Sequence, residues 1–248
     1  MSGQSANPAA TPVLVTRPAP QADRFSAGLV AAFGRLVRPV IAPLMQVEHL
    51  TPDLPEQSFT ALILTSETAA ARAGALMKTS LILPKLAYCV GDRTAEAARE
   101  SGFDARSAAG AADDLVALIL SRPDDGPLLW LRGRDVATDI ALALTAAGRS
   151  VTSAAVYAQT AVPLSSAALE LLARTGLLVV PVFSPRSARL LAAAIPANAK
   201  ATILPVAISA RARAALPAGL RSAAVLADAP DAPAMIRAIG RVISSRVP

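Results

Sequence analysis

Four short stretches place a hydroxyl or a bare glycine directly after an apolar run: "ILTSET" (63–68), "YCVGDRT" (88–94), "VFSPRS" (182–187) and "AISARA" (207–212). A fifth, "WLRGRD" (130–135), puts arginine and glycine there. In each, a strand pattern gives way to a helical one within a few residues. A helix N-terminus carries unpaired N–H groups and partial positive charge, so it holds carboxylates or phosphates well. The candidate binding residues are therefore Thr65, Ser66, Gly91, Thr94, Arg132, Gly133, Ser184 and Ser209. Taken singly, each hydroxyl reads equally as a plain N-cap. Taken together, from two lobes facing a cleft, they read as a grip for a ligand with many carboxylates.

Other chemistries are poorly supplied. His49 is the only histidine and falls in an extended connector, where a solvated role is expected. A nucleophilic triad or a Cys–His pair would have to use it, far in sequence from any poised serine. The one cysteine, Cys89, rules out an internal disulfide and a cysteine-based metal site, and its neighbours suggest a buried strand thiol. No P-loop occurs, and "LRGRDV" has too few glycines for a dinucleotide fingerprint. The acidic pair Asp113–Asp114 is expected to cap a helix. Trp130 and Tyr88 lie in strand patterns and are expected in the core.

The whole-chain properties agree. Hydrophobic residues make up 53% of the 248 positions and aromatics 3%, so the core must come from Ala, Leu, Val and Ile. No long apolar stretch lacks a charge or a proline, which excludes a membrane span. The opening "MSGQSANPAATP" reads as a loose tail with no signal-peptide pattern. A net charge of +6 favours anionic ligands. The arginines are scattered with few interleaved aromatics, so a nucleic-acid groove is not expected. Unpaired cysteine usage points to a reducing, cytoplasmic setting.

The elements that position these turns repeat. "ALILTSETAAARAGAL" (61–76) matches "VVPVFSPRSARLLAAA" (179–194), and the "AYCVGDRT" unit matches "LPVAISAR" at 204–211. Ser66 to Gly91 and Ser184 to Ser209 are both offsets of 25. A third unit, "VLVTRPAPQADRFSAGLVAAFGRLV" (13–37), matches "LLWLRGRDVATDIALALTAAGRSV" (128–151), with Arg17 and Gly34 answering Arg132 and Gly148. Equal spacing between unlike units indicates an internal duplication. In the first copy this unit leads, and in the second it trails. The chain is therefore expected to start lobe one, build lobe two, and return. The expected lobes are 1–44 with 162–248, and 45–161, with crossings near 42–50 and 156–163. Strands alternating with helices imply α/β lobes, Rossmann- or flavodoxin-like, with parallel sheets joined by a two-stranded hinge. Pro181, inside an apolar strand pattern, is expected to mark an edge or a bulge.

These motifs, in this order, resemble the uroporphyrinogen-III synthase family: "VLVTRP", "ILTSETAAA", "YCVGDRTAEAA" followed by "GF", "LLWLRGRD", "VYAQT" and "VFSPRSARLL", across roughly 13–240. The resemblance implies a cytoplasmic, monomeric enzyme of tetrapyrrole biosynthesis that needs no metal or organic cofactor. Its implied substrate is hydroxymethylbilane, closed with loss of water and inversion of ring D. Transient contact with hydroxymethylbilane synthase is part of the same expectation, and no nucleic acid or membrane partner is. By the same resemblance Tyr157 of "VYAQT" helps the hydroxyl leave, Thr94, Ser66 and Ser184 match the family's turn hydroxyls, and Arg17 and Arg132 match by position. The last unit departs, since many members carry a glycine and threonines where this chain has Ser209, Arg211 and Ala212. The alternative is a catalytically silent bilobal protein that binds tetrapyrroles or polycarboxylates.

Overall fold

The computed structural model describes residues 10–79, 81–122, 126–136 and 138–245, so most of the opening tail lies outside it. The chain runs β1 (Thr11–Val15), α1 (Gln21–Phe33), β2 (Val37–Ile41) and β3 (Met45–His49). It continues through β4 (Ala61–Leu64), α2 (Glu67–Met77), β5 (Leu86–Cys89), α3 (Asp92–Glu100), β6 (Asp104–Ser107) and α4 (Ala112–Leu120). Next come β7 (Leu128–Gly133), α5 (Ile140–Ala146), β8 (Val151–Ala161), α6 (Ser166–Ala173), β9 (Gly176–Val182) and α7 (Pro185–Ala194). The last elements are β10 (Ala201–Ala207), α8 (Ala210–Ala214), α9 (Ala218–Ala223), β11 (Val225–Leu226) and α10 (Ala232–Ser244).

Two compact units result. Unit 1 comprises residues 1–46 and 161–248, and unit 2 comprises 47–160. Unit 1 holds a sheet in the order β11-β10-β9-β1-β2, whose strands pair in parallel. The six-stranded sheet runs β3-β8-β7-β4-β5-β6, and its strands from β8 to β6 pair in parallel. The chain is thus α/β with two parallel sheets.

Numbered by chain order within each unit, the first sheet reads 2-1-3-4-5 and the second, β3 aside, 3-2-1-4-5. These are the flavodoxin and Rossmann orders. They become one order under the sequence duplication, in which β9 answers β4, β10 answers β5 and β1 answers β7. Then β2-β1-β9-β10-β11 lies in the same spatial order as β8-β7-β4-β5-β6. The two orders differ only in where the chain enters. The glycines that end the paired helical units agree as well: Gly34 and Gly148 both take positive φ, 51° and 85°, which a side chain would resist.

Each sheet is covered on both faces, because strand alternation sends neighbouring residues to opposite sides. In unit 2, Leu62, Leu64, Leu129 and Leu131 pack with α2 and α3 residues such as Ala69, Ala73 and Ala98. Ile63, Tyr88 and Trp130 face the other way, toward Leu115, Ile119 and Leu144. In unit 1, Leu14, Leu178, Val180 and Val182 meet Leu171 and Leu191, while Val13, Val15 and Val179 meet Phe25, Met235 and Ile239. Burial on both faces is why these strands read as continuous apolar runs.

Several local expectations are settled by position. Tyr88 is buried and His49 is exposed. Asp114 accepts a hydrogen bond from Ala111 N at 2.7 Å, closing the first turn of α4. Pro181 is not at an edge. It sits in β9, a central strand, opposite Val206 of β10. On its other side β9 meets β1 at the single register pair Val13–Val179. That ladder stops short of the proline, which has no N–H to extend it, while pairing with β10 continues past Pro181 to Val182.

Cys89 is fully buried, and that burial pushes its thiol from 9.0 up to about 11, with Arg99 pulling slightly the other way. Above pH 9.0 the unfolded chain therefore loses this proton first, and stability falls as pH rises toward about 11. Urea midpoints measured across that window should decline, and Cys89→Ala should flatten this part of the slope. Alkylation of the native thiol at neutral pH should be slow, and fast in urea. A second test concerns the units. A fragment of residues 45–161 carries its own sheet and both of its cores, so it should unfold cooperatively on heating. A fragment of 1–44, whose β1 needs β9 beside it, should not fold.

Candidate active site

Ligands of open α/β sheets bind beyond the carboxyl ends of the strands, where the strand order reverses. In unit 2 that point lies between β4 and β7. β4 ends at Leu64, so Thr65 and Ser66 follow it directly, and β7 ends on Arg132 and Gly133. In unit 1 the reversal lies between β1 and β9, which deliver Arg17 and Ser184. Gly91 and Ser209 follow the next strands over, β5 and β10, and Thr94 lies in the first turn of α3.

Tyr157 reaches the unit 2 site through an irregularity. β8 pairs with β7 as Leu131–Ala154 and Arg132–Ala155, and then as Gly133–Tyr157, skipping Val156. This bulge turns one extra residue and re-aims the side chain that follows. The skipped Val156 is fully buried, and its carbonyl accepts from Leu50 N at 2.9 Å. Tyr157 O accepts from Arg134 N at 2.8 Å. The phenol oxygen then lies 3.0 Å from Ser66 Oγ.

Gly133 makes room for that ring. A Cβ built on it would stand 2.8 Å from Tyr157 Cζ and 2.9 Å from the phenol oxygen, closer than carbon atoms tolerate. The glycine is therefore a seat for the tyrosine.

These residues line a cavity of about 220 Å³, walled by Thr65, Ser66, Trp130, Gly133, Asp135 and Tyr157 among others. Trp130, expected only in the core, is buried but borders this space, and its Nε1–H faces Thr65 Oγ1 at 3.5 Å. Asp135 went unremarked in the sequence, although it stands two residues after Gly133 in the same turn. That proximity was the available signal. Among the described residues, Gly91 and Thr94 are not in the cavity wall; Val90, just before them, is. Gly91 caps α3 in an extended conformation without a side-chain bond of its own, and Thr94 is buried. Arg132 is engaged within its own strand end: Nε donates to Ser153 Oγ at 2.6 Å, and Nη1 donates to the carbonyls of Gly133 and Arg134 at 2.9 and 3.1 Å.

The hydroxyls do cap. Ser66 Oγ accepts from Ala69 N at 3.1 Å, and Ser209 Oγ accepts from Ala212 N at 3.2 Å. Ser184 and Ser187 exchange bonds, each oxygen accepting the other's N–H at 3.0 Å. α8, behind Ser209, has only five residues. The guanidinium of Arg17 stacks 4.1 Å from the ring centre of Phe183. Among the described residues no cluster of His, Cys, Asp or Glu could hold a metal, and no helix is long and apolar enough to cross a membrane.

A family model described as "HEM4: Uroporphyrinogen-III synthase HemD" matches residues 4–237. The chain belongs to the uroporphyrinogen-III synthase family. One solved structure agrees on the fold. A uroporphyrinogen-III synthetase from Helicobacter pylori is 17% identical, covers 95% of this chain and 100% of its own, and superposes with a TM-score of 0.63. A uroporphyrinogen III synthase from Thermus thermophilus is 16% identical over 96% of this chain and 100% of its own, with a TM-score of 0.39. A search among curated proteins finds no significant match. Members of the family are cyclising lyases of tetrapyrrole biosynthesis.

The close approach of Gly133 to Tyr157 can be tested directly. Gly133→Ala overpacks the site and should lower stability by about 1–3 kcal/mol in urea unfolding. In a Tyr157→Ala background the same change should cost almost nothing. Equal penalties in both backgrounds would show that the ring does not rest on this glycine.

Proposed function

We propose that the cavity of unit 2 is where this chain performs the family's reaction, with Tyr157 as the group that helps the terminal hydroxyl of hydroxymethylbilane depart. What supports this is the placement of a phenol, hydrogen-bonded at 3.0 Å to Ser66, in a cavity at the reversal point of a parallel sheet. A phenol O–H can donate a hydrogen bond to a leaving oxygen.

The size of the cavity bears on what enters it. About 220 Å³ falls below the ~300 Å³ at which sites for drug-sized ligands begin. It suits one substituted pyrrole, the ring carrying the hydroxymethyl group, and not a whole tetrapyrrole.

The reaction then follows from electron demand. Loss of water from an electron-rich pyrrole carbinol gives an azafulvene. The substituted α-carbon of ring D attacks it, forming a spiro intermediate that fragments and closes again with ring D inverted. Ionisation is easy, so positioning is the larger task. Acetate and propionate groups outside the cavity require cationic or N–H partners. We assign this to the backbone amides around Thr65, Ser66, Gly91, Thr94 and Gly133 and to Arg132, with Arg17, Ser184 and Ser209 as the corresponding groups of unit 1. The net charge of +6 is consistent with a polyanionic ligand. The reading also includes a cytoplasmic monomer that receives its labile substrate through transient contact with hydroxymethylbilane synthase. Light scattering after gel filtration tests the monomer.

The decisive measurement supplies hydroxymethylbilane to the purified protein, oxidises the products and separates the isomers. Wild type should give mostly isomer III, and Tyr157→Phe should lower kcat by roughly a hundredfold while leaving thermal unfolding nearly unchanged. Isomer I alone, formed at the spontaneous rate, would refute the enzyme reading. If substrate then still bound, the silent binding protein would stand in its place, an outcome that the altered turn at Ser209 and the short α8 would suit.

A further inference from the structure

We propose that Ser66 is a positioning residue for Tyr157: its hydroxyl donates to the phenol oxygen, so that Ala69 N–H, Ser66 and Tyr157 form one directed chain of donors ending in the cavity. The inference rests on the reading of Tyr157 as the acid of ring closure. At 3.0 Å either oxygen could donate by distance alone. The direction comes from the third member. Ser66 Oγ already accepts from Ala69 N at 3.1 Å, at the start of α2, an eleven-residue helix.

A hydroxyl has one proton and two lone pairs. An oxygen that accepts from the positive end of a helix becomes poorer in electron density and a better donor through its own proton. Accepting a second bond from the phenol would work against that polarisation. In the favoured direction the phenol oxygen receives the serine proton, and its own proton is free to point into the cavity. In the reverse direction the phenol proton would be spent on Ser66, leaving only lone pairs toward the substrate.

The consequence for the chemical step is specific. As the carbinol C–O bond breaks, the oxygen takes the bonding pair and accepts the Tyr157 proton, leaving as water. The phenolate oxygen that forms is held by the Ser66 proton. A proton released from the adjoining pyrrole nitrogen restores the phenol by way of solvent, so the net change is loss of one water. Gly133 lets the ring sit low enough to reach Ser66, and the bulge at Val156 aims it.

Three substitutions separate capping from donation. Ser66→Thr keeps both. Ser66→Asp keeps the capping acceptor and removes the donor at neutral pH. Ser66→Ala removes both. We expect Ser66→Asp and Ser66→Ala to lower kcat about tenfold with KM little changed, and Ser66→Thr to stay within about twofold of wild type. A kcat for Ser66→Ala at or above wild type would overturn the proposal, because it would mean the serine had been consuming the phenol proton. If Ser66→Ala fails to fold, Ser66→Asp decides.

The bond itself can be read without turnover. The chain has two tyrosines, so 13Cζ-tyrosine NMR gives two resonances, and the one missing in Tyr157→Phe belongs to Tyr157. Loss of a bond that the phenol accepts should move this resonance toward the phenolate position in Ser66→Ala, and Ser66→Thr should return it. No movement, or movement the other way, overturns the proposal even if isomer III forms normally. A wild-type protein that makes only isomer I would instead refute the catalytic reading of Tyr157, while the resonance would still decide the direction of the bond.

Discussion

The unit 2 site depends on a close approach between a glycine and an aromatic ring. With any side chain at 133, the phenol could not lie across the end of β7, and Ser66 would cap α2 with no partner beyond its own helix. The bulge serves the same contact. A regular β8 would pair Val156 with Gly133 and send Tyr157 to the opposite face, since a one-residue slip reverses every side chain beyond it. Backbone irregularity and an absent side chain together supply what no single residue type could.

That dependence explains what could be read in advance. Parallel α/β architecture was legible because it is written in repeated local signals: apolar runs of strand length, hydroxyls at helix starts, glycines at helix ends. The duplication was legible as the equal offsets from Ser66 to Gly91 and from Ser184 to Ser209. The bulge was not. No periodicity announces one skipped residue in an eleven-residue strand, so Tyr157 stood out only through family resemblance. Trp130 read as core because it is core, and its edge on the cavity depends on which strands neighbour β7. Pro181 misled for a related reason. Proline in a central strand costs ladder bonds, and here β9 keeps its full register with β10 while pairing with β1 only at Val13–Val179.

Capping and binding were alternatives in the sequence, and in the structure they are not exclusive. A capping serine satisfies one of the first-turn N–H groups and leaves the others available. Ser66 shows the economy most clearly, because the oxygen that caps its helix also lies within hydrogen-bond distance of the Tyr157 phenol. Ser184 is different. It exchanges bonds with Ser187, and its oxygen and N–H are both occupied within the turn. Equal positions in the duplicated pattern thus carry unequal chemistry. The copy in unit 2 has a phenol beside it, whereas the copy in unit 1 has the Arg17–Phe183 stack nearby.

This asymmetry bears on how a duplicated fold acquires one reactive centre. Two copies with the same strand order offer two reversal points, each with a serine on one strand and an arginine on the other. The strand that answers β8 in unit 1 is β2, which has five residues where β8 has eleven. It pairs with β1 in unbroken register from Thr11–Val37 to Val15–Ile41. It therefore has neither the length nor the bulge to carry an aromatic ring over the neighbouring turn. The long, irregular strand brings a phenol beside the turn of Ser66 in unit 2, and the short, regular one leaves the matching turn of unit 1 with the Arg17–Phe183 stack.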